Sequence, residues 1–191
     1  MRIQTGALRI FSAAAVILWT ACTKTESNLP NYGAVPAFQM TDSEGHGFDS
    51  KVLKGKLWIA DFIYASCPGP CSRMTSQMHK VQRQVSGQKD VWLVSISVDP
   101  QHDSAAALNE FAHRFGGPSD QWVFLTGSPE TVHVLAHDVF HVGDLIGKMD
   151  HSTKFTLVDK EGHIRGYYSS VDADDMPAML RDVSALRKES S

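Results

Sequence analysis

Two cysteines, Cys67 and Cys71, stand in the run CPGPC with three residues between them. A thiolate is both the nucleophile of disulfide exchange and a soft metal ligand, so such a pair serves as a structural disulfide, a redox dithiol or half of a metal site. The C-x3-C spacing makes a wider loop than the two-residue spacer of common redox motifs. That width suits two sulfurs closing on one ion at bonds of about 2.3 Å, without forbidding a Cys67–Cys71 disulfide. Pro68 and Pro70 stiffen the loop, and Gly69 lets the chain turn between them. Two thiolates select Cu(I), zinc or similar soft ions and leave the site open, so a third ligand is expected from elsewhere. The metal site ranks ahead of the redox dithiol, and the redox dithiol ahead of the plain disulfide.

Asp61 lies six residues before Cys67 inside the apolar run LWIADFIY. Taken alone, it fits best as a carboxylate pointing outward or hydrogen-bonded at a strand edge. The sharper alternative is a buried acid that accepts a proton from the second cysteine, since burial raises a carboxyl's pKa into a useful range. His151, in MDHSTKFTLVD, offers an imidazole suited to copper or zinc, with Asp150 beside it to orient the ring. Position alone favours a surface loop for a single histidine. His133, His137 and His141 are spaced four apart and can share a helix face, but without a cysteine or acid cluster nearby they read as a solvated or partly packed face. Met74 and Met78 recur at helical spacing and read as core. Asp99, in DPQHD, is a candidate supporting group from a neighbouring strand end. A peroxidase-like use of Cys67 or Cys71 is the weakest reading, because Arg73 is the only arginine close by in sequence.

These residues need a scaffold, and the apolar periodicity supplies one. Residues 57–64, 91–99 and 122–127 read as buried strands. Helices are expected over 72–85 and 104–115, and a third starting at Ser128, where Ser is a good N-cap and Pro129 fits the first helical position. Residues 38–48 read as a hairpin turning at SEGHG, 154–159 and 163–170 as two strands joined by KEG, and 172–188 as a C-terminal helix. Residues 139–150 read as a loop or short hairpin. Strands alternating with helices imply an α/β fold with a central mixed sheet covered on both faces. A cysteine pair between the first long strand and its helix points to a thioredoxin-like fold with an added N-terminal β-hairpin. In such folds the loop before the strand at 154 lies against the cysteines. Redox-active members carry a cis-proline there, and no proline occurs between Met149 and Asp159.

The chain has 191 residues and a formal net charge of -3. That length suits one domain plus a targeting segment. Arg2 and Arg9 precede the short apolar run from Ile10 to Trp19, followed by Ala21-Cys22. The run is too short to span a bilayer as a stable helix and reads as a signal peptide over 1–21. A small residue before a cysteine suggests lipidation of Cys22, although Trp19 stands where such signals commonly have leucine. The expected organisation is then a tether over 22–35 and one domain over 36–191, exported and held at the extracytoplasmic face of a membrane by its lipid. An oxidising compartment allows Cys67 and Cys71 to exist as a disulfide or a metal site. No basic stripe or run is visible, so nucleic acid is not an expected partner.

LWIADFIY leading into CPGPC, then VSISVDPQHDS, then DHSTKFTLVDKEG together resemble the Sco family of copper-binding thioredoxin-like proteins, over roughly residues 35–188. The resemblance implies a thioredoxin-like domain with an N-terminal hairpin and an inserted segment before the histidine loop. It implies one copper ion, Cu(I) or Cu(II), held by Cys67, Cys71 and His151, and delivery to the dinuclear copper centre of cytochrome c oxidase. The alternative it leaves open is a thiol–disulfide oxidoreductase using Cys67 and Cys71, which reduces that target's cysteines or another thiol partner. Two positions depart from the family's common pattern. Ser72 stands where a proline commonly follows the second cysteine, and Ala65 where a threonine commonly precedes the first by two places. Neither removes a ligand.

Overall fold

The computed structural model describes residues 27–67, 69–142 and 153–189. The β-rich apolar runs become strands: β1 (Gln39–Asp42), β2 (Gly47–Asp49), β3 (Leu57–Ile63), β4 (Val91–Ser97), β5 (Trp122–Thr126), β6 (Lys154–Val158) and β7 (Ile164–Ser169). They form a single seven-stranded sheet in the order β2-β1-β5-β4-β3-β6-β7. β3, β4 and β5 are mutually parallel, while β1 joins β5, and β6 joins β3, antiparallel. The result is the mixed, helix-covered sheet expected from the alternation of strands and helices.

The hairpin β1–β2 turns where the sequence predicts. The Asp42 carboxylate accepts from the amides of Glu44 and His46, both at 2.9 Å, and Gly45 takes the left-handed conformation that an unbranched backbone tolerates. At the opposite edge, Tyr32 and Val35 donate backbone hydrogen bonds to Ile164 and Gly162, and Arg165 reaches the carbonyls of Leu29 and Pro30. Part of the segment expected as a tether is therefore strapped along the start of β7.

The helices are α1 (Pro70–Gln84), α2 (Ala105–His113), α3 (Pro129–His133) and α4 (Asp175–Glu189). Ser104 and Ser128 cap α2 and α3, accepting from the amides of Ala107 and Thr131. α3 runs on into a π-helical turn, Val134–Val139, within the stretch expected to continue the helix from Ser128. Residues 143–150 of the loop expected over 139–150 lie outside the described residues.

Side chains alternate across a strand, and β3 shows what this does. Leu57, Ile59 and Ile63 pack under Met74, Met78, Leu108, Phe111 and Met179, so α1, α2 and α4 cover one face. Trp58, Ala60 and Phe62 pack on the other face with Val132, Leu135 and Phe140, under α3 and the π turn. Met74 and Met78 are core residues, as their spacing suggested. Every residue of β3, which lies between β4 and β6, is buried. Its C-terminal end delivers the chain straight into the cysteine loop.

Candidate metal centre

The cysteine pair sits where β3 hands over to α1. The helix begins at Pro70, two residues earlier than the spacing predicts, with Gly69 as N-cap and no side chain capping it. Proline suits that first position because its absent N–H would have no helical partner. Cys71 thereby falls within the first turn, and its free amide points out of the helix end. That amide donates to Cys67 Sγ at 3.3 Å. The Cys67 amide donates in turn to the Tyr64 carbonyl at 3.2 Å, which closes the loop. Both cysteines are buried, with no bond between their sulfurs.

The two sulfurs are not equivalent. Burial works to raise the Cys67 thiol. Hydrogen bonds from the Cys71 thiol, the backbone at Gly69 and Cys71, and the Tyr64 side chain outweigh it and hold Cys67 below its ordinary value. Cys71 is pushed up to about 12, first by burial, then by the hydrogen bond to Cys67 and by the charges of Cys67 and Asp61. A helix start favours thiolate in general, yet here only Cys67 is lowered while Cys71 is raised. The helix end and loop donors serve the first sulfur, and the second lies beneath it among apolar side chains. Tyr64 is itself raised to about 12, chiefly by burial and then by its hydrogen bond to Cys67.

Asp61 overturns the reading favoured for it. It lies fully buried, on the β3 face it shares with Ile59 and Ile63, beneath α1. Neither carboxylate oxygen has a hydrogen-bond partner among the described residues. Burial raises it to about 7, with the neighbouring Ser95 hydroxyl offsetting part of the rise. Its charge is felt at Cys71, so the buried acid and the reluctant thiol form one electrostatic unit.

Two further residues hold the loop, and the sequence drew attention to neither. Asp103, nearly fully buried, accepts from the Ala65 amide at 3.0 Å and from the Ser97 hydroxyl at 2.6 Å. It pins the cysteine loop to the end of β4, from within a stretch read only as the start of α2. Tyr64 was read as the last residue of the strand; the detectable signal was an aromatic hydroxyl placed three residues before a cysteine. Asp99, the weighed candidate, pairs with exposed His102 at 2.8 Å, and its charge contributes to raising Tyr64. Arg73 lies in α1 behind the pair, and its amide donates to Gly69 at 3.2 Å.

His151 and Asp150 lie outside the described residues, as does Cys22. The described chain resumes at Thr153, and β6 pairs antiparallel with β3, Trp58 opposite Val158 and Ala60 opposite Thr156. The N-terminal end of β6 therefore stands at the end of the sheet where β3 enters the cysteine loop. Of the three spaced histidines, the structure brings two together. The His133 and His137 rings stack at 5.3 Å, while His141 takes a left-handed backbone and turns its Nδ1 to the His137 carbonyl at 3.0 Å.

Residues 27–187 match the family model described as SCO1/SenC. Among solved structures, a SCO1/SenC family lipoprotein from Bacillus anthracis is 34% identical, with a TM-score of 0.72 over 81% of this chain and 95% of its own. BsSco, described with a disulfide switch and as a member of the Sco family of cytochrome c oxidase assembly proteins, is 28% identical, with a TM-score of 0.73 over 84% and 96%. Yeast Sco1 with copper bound is 25% identical, with a TM-score of 0.62 over 78% and 92%. Among the described residues, no helix is long and apolar enough to cross a membrane.

Proposed function

The chain belongs to the SCO1/SenC family, and from that premise we propose that it binds one copper ion through Cys67, Cys71 and His151 and hands it to the dinuclear copper centre of cytochrome c oxidase. The observation that carries this reading is the buried cysteine pair at the start of α1, its sulfurs close together and one of them favoured as thiolate. Copper is the cargo here. Two soft sulfurs in a water-poor setting suit Cu(I), and a third donor closes the coordination. His151 is that donor. It stands two residues before Thr153, a span of at most about 7 Å of chain, and so within reach of the sheet end where the cysteines lie. The copper-bound state of yeast Sco1 supports the cargo, and the BsSco assembly role supports the recipient.

Loading has a proton requirement. Cys67 gives its proton up readily, but Cys71 must lose one against burial and against its neighbour's charge. Asp61, whose charge reaches Cys71, is the acceptor in this reading, and its pKa of about 7 lets it serve near neutral pH. The same pair of properties favours a second reading, thiol–disulfide exchange, in which Cys67 attacks and Cys71 resolves. The two activities use different states of one dithiol and coexist. Anchoring by a lipid on Cys22, on the extracytoplasmic side, completes the proposal, in line with the lipoprotein nature of the Bacillus anthracis relative.

The test is metal analysis of the reduced chain after loading with Cu(I) under argon and desalting. The proposal expects close to one copper per chain, and none retained after the cysteines are oxidised. Equal copper in the reduced and oxidised forms would place the ion elsewhere.

A further inference from the structure

On the other side of the sheet, the π turn carries a second set of metal-ligating side chains. Phe140 anchors it, packing edge-on against Trp58 at 5.8 Å and Phe62 at 5.2 Å. Leu135 and Ala136 are buried with it. The backbone here bonds five and six residues back, Phe140 to Leu135 and Val142 to Ala136, both at 2.9 Å. Such π turns cost hydrogen-bond geometry and are frequent at functional sites. This one leaves His133, His137 and Asp138 together in solvent. The two rings lie parallel within 7°. His137 Nδ1 and Asp138 Oδ1 are 2.9 Å apart. One donor atom from each of the three residues lies within 4.8 Å of the others. The sequence reading lacked an acid beside the histidines, and Asp138 supplies it.

We propose that His133, His137 and Asp138 form a second metal site that takes a borderline divalent ion, Cu(II) in preference to Zn(II), independent of the cysteine pair. Two imidazoles and a carboxylate make a nitrogen–oxygen donor set without sulfur, which favours divalent over monovalent copper. Donors at about 2.1 Å from one ion are at most about 4.2 Å apart, so the cluster needs only a small closure of exposed side chains to coordinate it. Solvent fills the remaining positions. The turn packs on Trp58 and Phe62, whereas the cysteines pack over Ile59 and Ile63 on the opposite face, so the sites share no side chain. One protein then offers a soft, buried site and a harder, exposed one.

The test titrates Cu2+ and Zn2+ by calorimetry into the full chain carrying Cys67→Ser and Cys71→Ser, which removes the thiolate site. One equivalent of Cu2+ is expected, bound more tightly than Zn2+, and the paramagnetic spectrum of the Cu2+ form should show coupling to two imidazole nitrogens. Adding His133→Ala or His137→Ala should weaken Cu2+ at least about tenfold, and Asp138→Asn by a smaller factor. All three residues are exposed, and circular dichroism would verify that the variants fold. Unchanged Cu2+ affinity in His137→Ala would overturn the proposal. So would loss of binding in His46→Ala, which disrupts the separate cluster of Asp42, Glu44 and His46, or in His151→Ala.

Discussion

The dithiol and the histidine pair lie on opposite faces of one sheet and are built by opposite means. Cys67 and Cys71 are buried, and their surroundings set their chemistry: a helix end and a tyrosine favour one thiolate, while burial and Asp61 disfavour the other. His133, His137 and Asp138 are exposed, and their chemistry comes from side-chain type and spacing, with little help from the surroundings. The difference teaches that burial confers selectivity through protonation. An ion entering the buried site must displace a proton that the fold holds tightly, which a strong soft acid such as Cu(I) does well. The exposed site imposes no such condition and discriminates by ligand type alone.

The largest effect that tests this contrast comes from the sulfurs. Cys67→Ser or Cys71→Ser should weaken Cu(I) binding about a thousandfold or more, roughly 4 kcal/mol, measured by competition with a Cu(I) chelator. The same variants should leave Cu2+ binding at the histidine pair unchanged. Near-normal Cu(I) affinity in both would erase the distinction between the two regions.

Asp61 gives the next effect. Its folded pKa of about 7 lies above the usual carboxylate value of 3.8, so between those limits the folded state holds a proton that the unfolded state has lost. The contribution of Asp61 to stability should therefore be greatest below about pH 4, fall as pH rises to about 7, and level off above it. This contribution is worth up to about 4 kcal/mol across the window. Asp61→Asn keeps the neutral shape and removes the titration, so its unfolding midpoint in urea should be less sensitive to pH and should exceed that of the parent chain at pH 8. An unaltered pH profile would mean that the carboxylate is not isolated from water. The variant should also slow thiol exchange by Cys71 while leaving Cu(I) affinity nearly intact.

His151→Ala should produce the smallest effect, about tenfold in Cu(I) affinity or about 1.4 kcal/mol, because two sulfurs remain. Disulfide exchange with a small-molecule disulfide should keep most of its rate, since an imidazole ligand takes no part in thiolate attack. Loss of exchange with unchanged copper affinity would shift the account to an oxidoreductase.

The sequence made the scaffold legible because its periodicities are clean. Each long apolar run became a strand, and the cysteine pair fell at the strand-to-helix junction where the spacing put it. The electrostatics were not legible. In LWIADFI every position but one is apolar, so alternation cannot say which face Asp61 shares, and the edge reading failed against a strand buried on both sides. Asp103 reaches Ala65 across 38 residues of chain, a contact no local pattern reports. His141 appeared to continue the stripe of His133 and His137. The π turn changes the helical repeat there, removing His141 from the stripe and bringing in Asp138. Cys67 and Cys71 look alike in sequence and differ only because one faces the helix end and the other the core.

The central claim is that one copper ion is held by two sulfurs and one imidazole nitrogen. X-ray absorption on the reduced, Cu(I)-loaded chain measures this directly. The account predicts two sulfurs at about 2.3 Å and one nitrogen at about 2.0 Å, with the nitrogen lost in His151→Ala. A shell of nitrogen and oxygen without sulfur, or the nitrogen unchanged in His151→Ala, would contradict it.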